Sequence, residues 1–520
     1  MTSALNKRPG GPRPRYRGAL GLWLALVAGP ATAQTTLTGQ SLLYNQASNA
    51  YGGNYLTAVG GAIYTDNVER TATGTGATQL LLGLIGDTSR AGPRLDYHLS
   101  SNLAVVKYLS GAYSTEPSGY LDGMLAFHIV PSFFSWIARE SFSEVLIDPY
   151  APTTPNNLVN LNIITTGPRF TLRPTLRTAV RLDALYSYLT SSSAATQYAT
   201  IDSHRYGGDL RIERAFSERA SLYLKGHYEK VDFKDQVDNH NYSVGEATAG
   251  YQLADSRTAF DLSGGYSQLH IYDVLSVVQG PAGSRETLTT EKFDEPIGRL
   301  SLSRLITPSQ RIALTVSQVL TDNVSSFRLG FDQPVPTVPP SLFATDEPFK
   351  QRLYALDWRF QAARTTLDLS LMEWQARYLL DSVNNYNNKS ANATLTRLLS
   401  PVLSGDVGVS FGRTEQVGTP AASGGAPIIT GRSADTWGVL ADLRWQAGER
   451  LALRLLYTHS EQQGVYKDNQ VGVTASWALL TGSGTARLAP LSPIAPASTQ
   501  FPTEQPAPQS PILPASPQSP

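Results

Sequence analysis

Period-two alternation, held over runs of about ten residues and repeated along most of the chain, constrains this sequence more than any other feature. Val180, Leu182, Ala184, Tyr186 and Tyr188 share one face of an extended segment, and Arg181, Asp183 and Ser187 share the other. Leu210 and Ile212 stand against Asp209, Arg211 and Glu213. Leu222, Leu224 and Tyr228 stand against Lys225, His227 and Glu229. Further on, Trp437, Val439, Leu443 and Trp445 oppose Asp442 and Arg444, while Leu451, Leu453, Leu455 and Tyr457 oppose Arg454 and Thr458. Successive strand side chains point to opposite faces, so each run has one apolar and one polar side. No helical period runs over a comparable length.

The connections alternate too. Tight turns are expected near Gly86–Gly92, Pro131–Ser132, Arg173–Leu176, Phe216–Arg219, Ala254–Arg257, Thr307–Gln310, Ala362–Arg364, Ser400–Ser404 and Ala447–Arg450. Longer polar loops fall between them, among them Val145–Val159, Tyr272–Pro296, Thr321–Pro348 and Gln416–Ala434. About nine turns and ten loops close at about 20 strands (18–20), with both ends of the run on the turn side. The apolar faces end in aromatics: Tyr186 and Tyr188, Tyr228, Trp358 and Phe360, Trp445, Tyr457, Trp477. Aromatic girdles flank a lipid-facing band. The fold expected is all-β, a single transmembrane antiparallel up-and-down barrel of the outer membrane over residues 55–479. A secreted sandwich or propeller would also alternate, but with strands of about five or six residues.

The flanks differ in kind. Lys7, Arg8, Arg13, Arg15 and Arg17 precede the apolar run Ala19–Ala28 and the small-residue site Ala31-Thr32-Ala33, the pattern of a signal peptide over residues 1–33. The apolar run is shorter than the roughly 20 residues that a spanning helix needs. Residues 34–54 form a lead-in too short for a plug domain. Ten prolines lie in the tail, residues 480–520, where extended or disordered chain is expected after the final strand and its Trp477.

Composition removes several functions. Lys+Arg and Asp+Glu are 42 each, so the basic footprint that would suggest nucleic acid is missing. Without Cys, disulfides, thiolate metal sites and Cys nucleophiles are excluded. The seven histidines (His98, His128, His204, His227, His240, His270, His459) show no metal-ligand spacing, and no cofactor motif is present, so neither metal nor cofactor is expected. No Gly-x-Ser-x-Gly elbow occurs, and Ser203 and His204, being adjacent on a strand, point apart. An enzyme is not expected.

What remains is a pore. Its expected inner wall carries Arg181, Asp183, Asp209, Arg211, Lys225, Glu229, Arg299, Asp357, Arg359, Asp442, Arg444 and Arg454. Mixed charge at close quarters pairs internally and tunes selectivity weakly. Losing a lumen charge such as Arg454 is therefore expected to cost far less than Leu453→Arg on the lipid face, at about 2–4 kcal/mol near mid-bilayer. The loop Thr321–Pro348 is the candidate constriction, with Asp322, Asp332, Asp346 and Glu347 outnumbering Arg328; folded inward it would favour cations, and an extracellular flap is the alternative.

One stretch carries a resemblance. Trp136-Ile137-Ala138-Arg139-Glu140-Ser141-Phe142-Ser143-Glu144 is followed by Asp148-Pro149-Tyr150-Ala151-Pro152-Thr153-Thr154-Pro155-Asn156-Asn157, then Thr165-Thr166-Gly167-Pro168. With Tyr64-Thr65-Asp66-Asn67 and Leu95-Asp96-Tyr97, it resembles the outer-membrane barrels associated with PEP-CTERM/exosortase systems, porin-like barrels of exopolysaccharide gene clusters. The resemblance implies an outer-membrane address and an exopolysaccharide context, and brings no catalytic residue. Read from its residues alone, the Asp148–Asn157 loop is stiffened by three prolines and suits a cap over the barrel rim. The partners expected are outer-membrane lipid, the barrel-assembly machinery, and exopolysaccharide or envelope secretion proteins. Two functions stay open: a pore for exopolysaccharide export or small-solute passage, and an assembly anchor without transport.

Overall fold

The computed structural model describes residues 55–192, 201–234, 240–280, 283–322, 347–380, 382–417 and 431–480. They form twenty strands. In order these are β1 (Tyr55–Thr65), β2 (Ala77–Arg90), β3 (Leu95–Tyr108), β4 (Glu116–Val130), β5 (Phe134–Leu146), β6 (Leu158–Thr175) and β7 (Thr178–Ser192). Then come β8 (Ser203–Ala215), β9 (Ala220–Phe233), β10 (Tyr242–Ala254), β11 (Thr258–Gly280), β12 (Gly283–Thr307), β13 (Gln310–Thr321) and β14 (Phe349–Gln361). The last are β15 (Thr365–Tyr378), β16 (Tyr386–Ser400), β17 (Leu403–Gln416), β18 (Ser433–Gln446), β19 (Leu451–Gln462) and β20 (Tyr466–Leu480). Every strand pairs antiparallel with its sequence neighbours, and β1 pairs with β20 from Leu56↔Leu480 to Thr65↔Gln470. The sheet is therefore a closed barrel of 20 strands, an up-and-down topology of the outer-membrane type.

Closure leaves no free edge, which matters because unpaired backbone groups are costly in lipid. The alternation sorts as the sequence suggests. Leu182, Tyr186, Leu222, Leu224, Tyr228, Leu443, Trp445, Leu455 and Trp477 are exposed on the outer face, while Asp183, Ser187, Glu229, Asp442 and Arg454 are buried on the inner one. No helix among the described residues is long and apolar enough to cross a membrane, a test that does not bear on strands.

Four boundaries depart from expectation. Residues Tyr272–Pro296 are not a polar loop: β11 and β12 continue as a ladder to Gly280↔Gly283, past a bulge between Ile271 and Val274. Their alternation of Thr, Val and Leu sustains pairing beyond the ends of the neighbouring strands β10 and β13. Strand β2 runs through Gly86 to Arg90, so that turn lies at residues 91–94, and β6 runs to Thr175. On the loop side, β19 and β20 are joined by residues 463–465 alone, with Gly464 at φ 74° making the reversal. The signal peptide, the lead-in and the Pro-rich tail lie outside the described residues.

Candidate functional site: a closed mouth over a paired-charge lumen

The lumen has two halves of opposite character. All twelve expected wall residues lie on the inner face: Arg181 and Asp183 on β7, Asp209 and Arg211 on β8, Lys225 and Glu229 on β9, Arg299 on β12, Asp357 and Arg359 on β14, Asp442 and Arg444 on β18, Arg454 on β19. Most are engaged with one another or with neighbours. Arg169 donates to both Asp183 oxygens at 2.8 Å, with Arg181 3.6 Å away. Asp209 takes His227 Nδ1 at 3.0 Å and Lys225 at 3.9 Å. Arg211 donates to Glu213 and Gln252 at 3.1 Å and lies over the Tyr223 ring at 4.2 Å. Arg359 pairs with Asp368, and Arg454 donates to Asp442 through Nε at 2.8 Å.

These pairs follow from ladder register. Arg169 faces Asp183 across β6 and β7, and Arg359 faces Asp368 across β14 and β15. Sequence reasoning missed Arg169, Arg205 and Asp368 as members of the wall. Their parity was readable, but their partners depend on register, which spacing alone does not give.

The candidate constriction loop is only partly in view. Asp322 does turn inward: Arg205, fully buried, donates to it at 2.5 Å, to Glu229 at 3.0 Å and to the Tyr242 hydroxyl at 3.4 Å. Glu347 accepts the Leu380 amide and so braces the β15–β16 connection. Asp332 and Asp346 lie outside the described residues.

The element that does enter the lumen is the proline-stiffened β5–β6 loop, residues 147–157. It is a compact knot tied by Asn157. Asn157 Oδ1 accepts the Asp148 amide at 2.8 Å, and its Nδ2 donates to the carbonyls of Asp148, Ala151 and Pro152 at 2.9, 3.3 and 3.1 Å. Asp148 Oδ1 accepts the Tyr150 amide at 2.9 Å, an Asx-turn closed by its own side chain. Pro152 and Pro155 restrict the backbone between, with Pro155 opening a single 3₁₀ turn to Asn157.

That knot reaches across the barrel. Gln462 on β19 donates to the Tyr150 carbonyl at 2.8 Å. Arg432, ahead of β18, pairs with Asp148 at 2.6 Å and lies over the Tyr150 ring at 4.7 Å. Arg70, in the β1–β2 loop, donates to the Thr153 carbonyl at 2.7 Å while holding buried Asp468 of β20 at 3.3 Å. Arg70 has φ 52°, the left-handed region that a side chain of its bulk rarely enters, so the surrounding contacts hold it there. Burial pushes the Tyr150 phenol well above its ordinary range, with Arg432 opposing, so that ring stays neutral.

Beneath the knot the lumen is packed. Ile147 and Tyr150 join Val145, Leu161, Ile163 and Leu189 of β5–β7 in one buried cluster with Phe349, Leu353, Trp374, Tyr378 and Tyr386 of β14–β16. In a ring of twenty strands, β6 and β15 stand nine apart, so the cluster joins opposite walls. Phe349 and Trp374 meet edge to face at 5.9 Å, and Trp374 and Tyr386 lie 5.0 Å apart. The expected rim cap is thus a folded-in plug.

The hairpin that carries it is locally specialised. Gly167 on β6 lies where a Cβ would run into the Ala184 backbone, and Pro168 has no amide to donate. The β6–β7 ladder accordingly skips from Thr166↔Tyr186 to Arg169↔Asp183. Trp136 of β5 closes this stretch from outside, donating to Thr166 Oγ1 at 2.8 Å.

No metal-holding group of three or more His, Asp or Glu side chains is found among the described residues. No protein-family model and no curated protein matches the chain. Solved structures with a similar course include the ferric citrate transporter FecA in its unliganded form, 10% identical over 83% of this chain and 79% of that one, TM-score 0.43. The siderophore receptor PiuA from Acinetobacter baumannii is 8% identical over 83% and 82%, TM-score 0.43. The copper transporter OprC is 9% identical over 82% and 81%, TM-score 0.42. At such identity and superposition their cargoes say nothing about this chain.

Proposed function

We propose that the protein is a gated conduit of the outer membrane, closed in this conformation, whose cargo is a hydroxyl-rich chain of the exopolysaccharide class. The latched β5–β6 knot carries this reading. A general diffusion pore needs no ion-paired, aromatic-packed obstruction between opposite walls, whereas a conduit opened on demand does.

The wall chemistry favours an uncharged, hydrogen-bonding cargo. Where charges are paired, as in Arg169–Asp183 and Arg454–Asp442, no field of one sign is left to select ions. Between the pairs lie Ser141, Thr165, Ser187, Asn388, Thr396 and Thr474, short uncharged polar groups that add no field of their own. The resemblance to barrels of exosortase-linked exopolysaccharide clusters points the same way. Its sharpest stretch, Trp136–Pro168, is the hairpin that bears the plug.

The packed upper lumen also favours a second reading, an anchor that never conducts. Planar-bilayer recording separates the two. Wild type is expected to be silent, and a variant with Pro149–Asn156 replaced by a short Gly-Ser link is expected to conduct, with long polysaccharide interrupting the current. Silence in both would leave the anchor standing.

A further inference from the structure

The outer wall of β16–β20 is not smooth. A groove of about 540 Å³ crosses these strands, within the range of roughly 300–1,000 Å³ typical of ligand sites. Its hollow comes from missing side chains. Gly405 and Ala441 lie among outward Leu395, Leu399, Leu443 and Leu455, and a Cβ built on Gly405 would meet nothing nearer than the Asp442 carbonyl at 3.5 Å.

One end of the groove carries a cation. Arg397 is exposed on the outer face and stands opposite Gly405 in the β16–β17 ladder. No hydrogen bond or ion pair engages it among the described residues. It lies close to the tight turn at residues 401–402, hence on the short-turn side, which in outer-membrane barrels faces the periplasm. From there the groove climbs through Leu443 and Leu455 to Val471, near the middle of β20. An unpaired guanidinium at the lipid interface invites a phosphate, which it can take with two parallel hydrogen bonds.

We propose that this groove holds one acyl chain of a phospholipid from the periplasmic leaflet, with the lipid phosphate on Arg397. The inference rests on the barrel's membrane-spanning reading and is independent of whether the lumen conducts. Groove and arginine supply the two halves of one amphiphile: an apolar slot leading toward mid-bilayer, and a cation at the headgroup level.

The test is native mass spectrometry of the full chain released from outer membranes in mild detergent. Wild type should carry one phospholipid. Gly405→Leu fills the slot without a backbone clash and should abolish the adduct. Arg397→Gln should lower its occupancy about tenfold or more, the loss expected when a charged hydrogen-bonded contact disappears. Unheated-gel mobility checks that each variant is a folded barrel, and Arg397→Gln is the safeguard if Gly405→Leu fails that check. A lipid-free wild type, an adduct unchanged in Arg397→Gln, or a bound molecule without phosphorus would overturn the proposal. Wild type recovered as soluble periplasmic protein would instead overturn the membrane-spanning reading itself.

Discussion

The two ends of this barrel are built from the same alternating strands, yet one is lined and the other is filled. Toward the short turns the inner face carries ion pairs such as Arg169–Asp183 and Arg454–Asp442. Toward the long loops it carries Phe349, Leu353, Trp374 and Tyr386, each at most 4% exposed and packed against the opposite wall. Strand period fixes only which side chains point inward. Whether that interior is wet or dry depends on what enters it from the loops.

Removing the knot should break the contrast most. With Pro149–Asn156 replaced by a Gly-Ser link, stepwise single-channel currents are expected where wild type shows none. Unchanged silence would favour the anchor that never conducts.

The cluster is the next target. Trp374→Ala removes a side chain 1% exposed between Phe349 and Tyr386 and should cost about 3–5 kcal/mol. Urea unfolding in lipid vesicles would read that loss. A cost under about 0.5 kcal/mol, the level of ordinary surface substitutions, would mean that the upper lumen is solvated after all.

The paired half should respond differently, through charge. Arg454→Leu strands Asp442, its partner, in a site where the two side chains are 3% and 2% exposed. Breaking a buried pair from one side costs about 3–5 kcal/mol, and replacing both members recovers most of it. This reverses the expectation that a lumen charge is cheaper to lose than the roughly 2–4 kcal/mol of a lipid-face arginine. Single and double variants, Arg454→Leu and Arg454→Leu/Asp442→Leu, measured in one unfolding series, would sharpen the point; a double variant as weak as the single would contradict it.

The smallest effect is expected at the latch. Arg432 and Asp148 are 41% and 26% exposed, so their pair contributes about 1 kcal/mol or less and weakens with salt. Arg432→Gln should give brief openings at low ionic strength. Adding salt to wild type should mimic it.

Much of the architecture was legible beforehand because membrane barrels are local in sequence. Strand number and face assignment follow from period two and punctuation, and the structure agrees on both. The β11–β12 hairpin departs from the expected loop because its threonines lower the hydrophobic signal while favouring strand, which outweighs the weaker strand preference of its glutamates. The inner-wall residues were legible by parity, their partners less so. Arg169 and Asp183 are fourteen residues apart and meet only through a ladder interrupted at Gly167-Pro168.

The plug shows where the sequence stopped and the tertiary structure took over. Three prolines and the Asp-Pro and Asn-Asn pairs mark residues 148–157 as a stiff loop from composition alone. Nothing in that string says that it turns inward. Two of the contacts that hold it come from Arg432 and Gln462, 284 and 312 residues away along the chain and brought near when β20 closes on β1, and the third from Arg70, which Asp468 of β20 holds across that same seam. Alternation is enforced residue by residue, because each strand must hide its polar face from lipid. Closure and the filling of the lumen depend on contacts that exist only once the ring is complete.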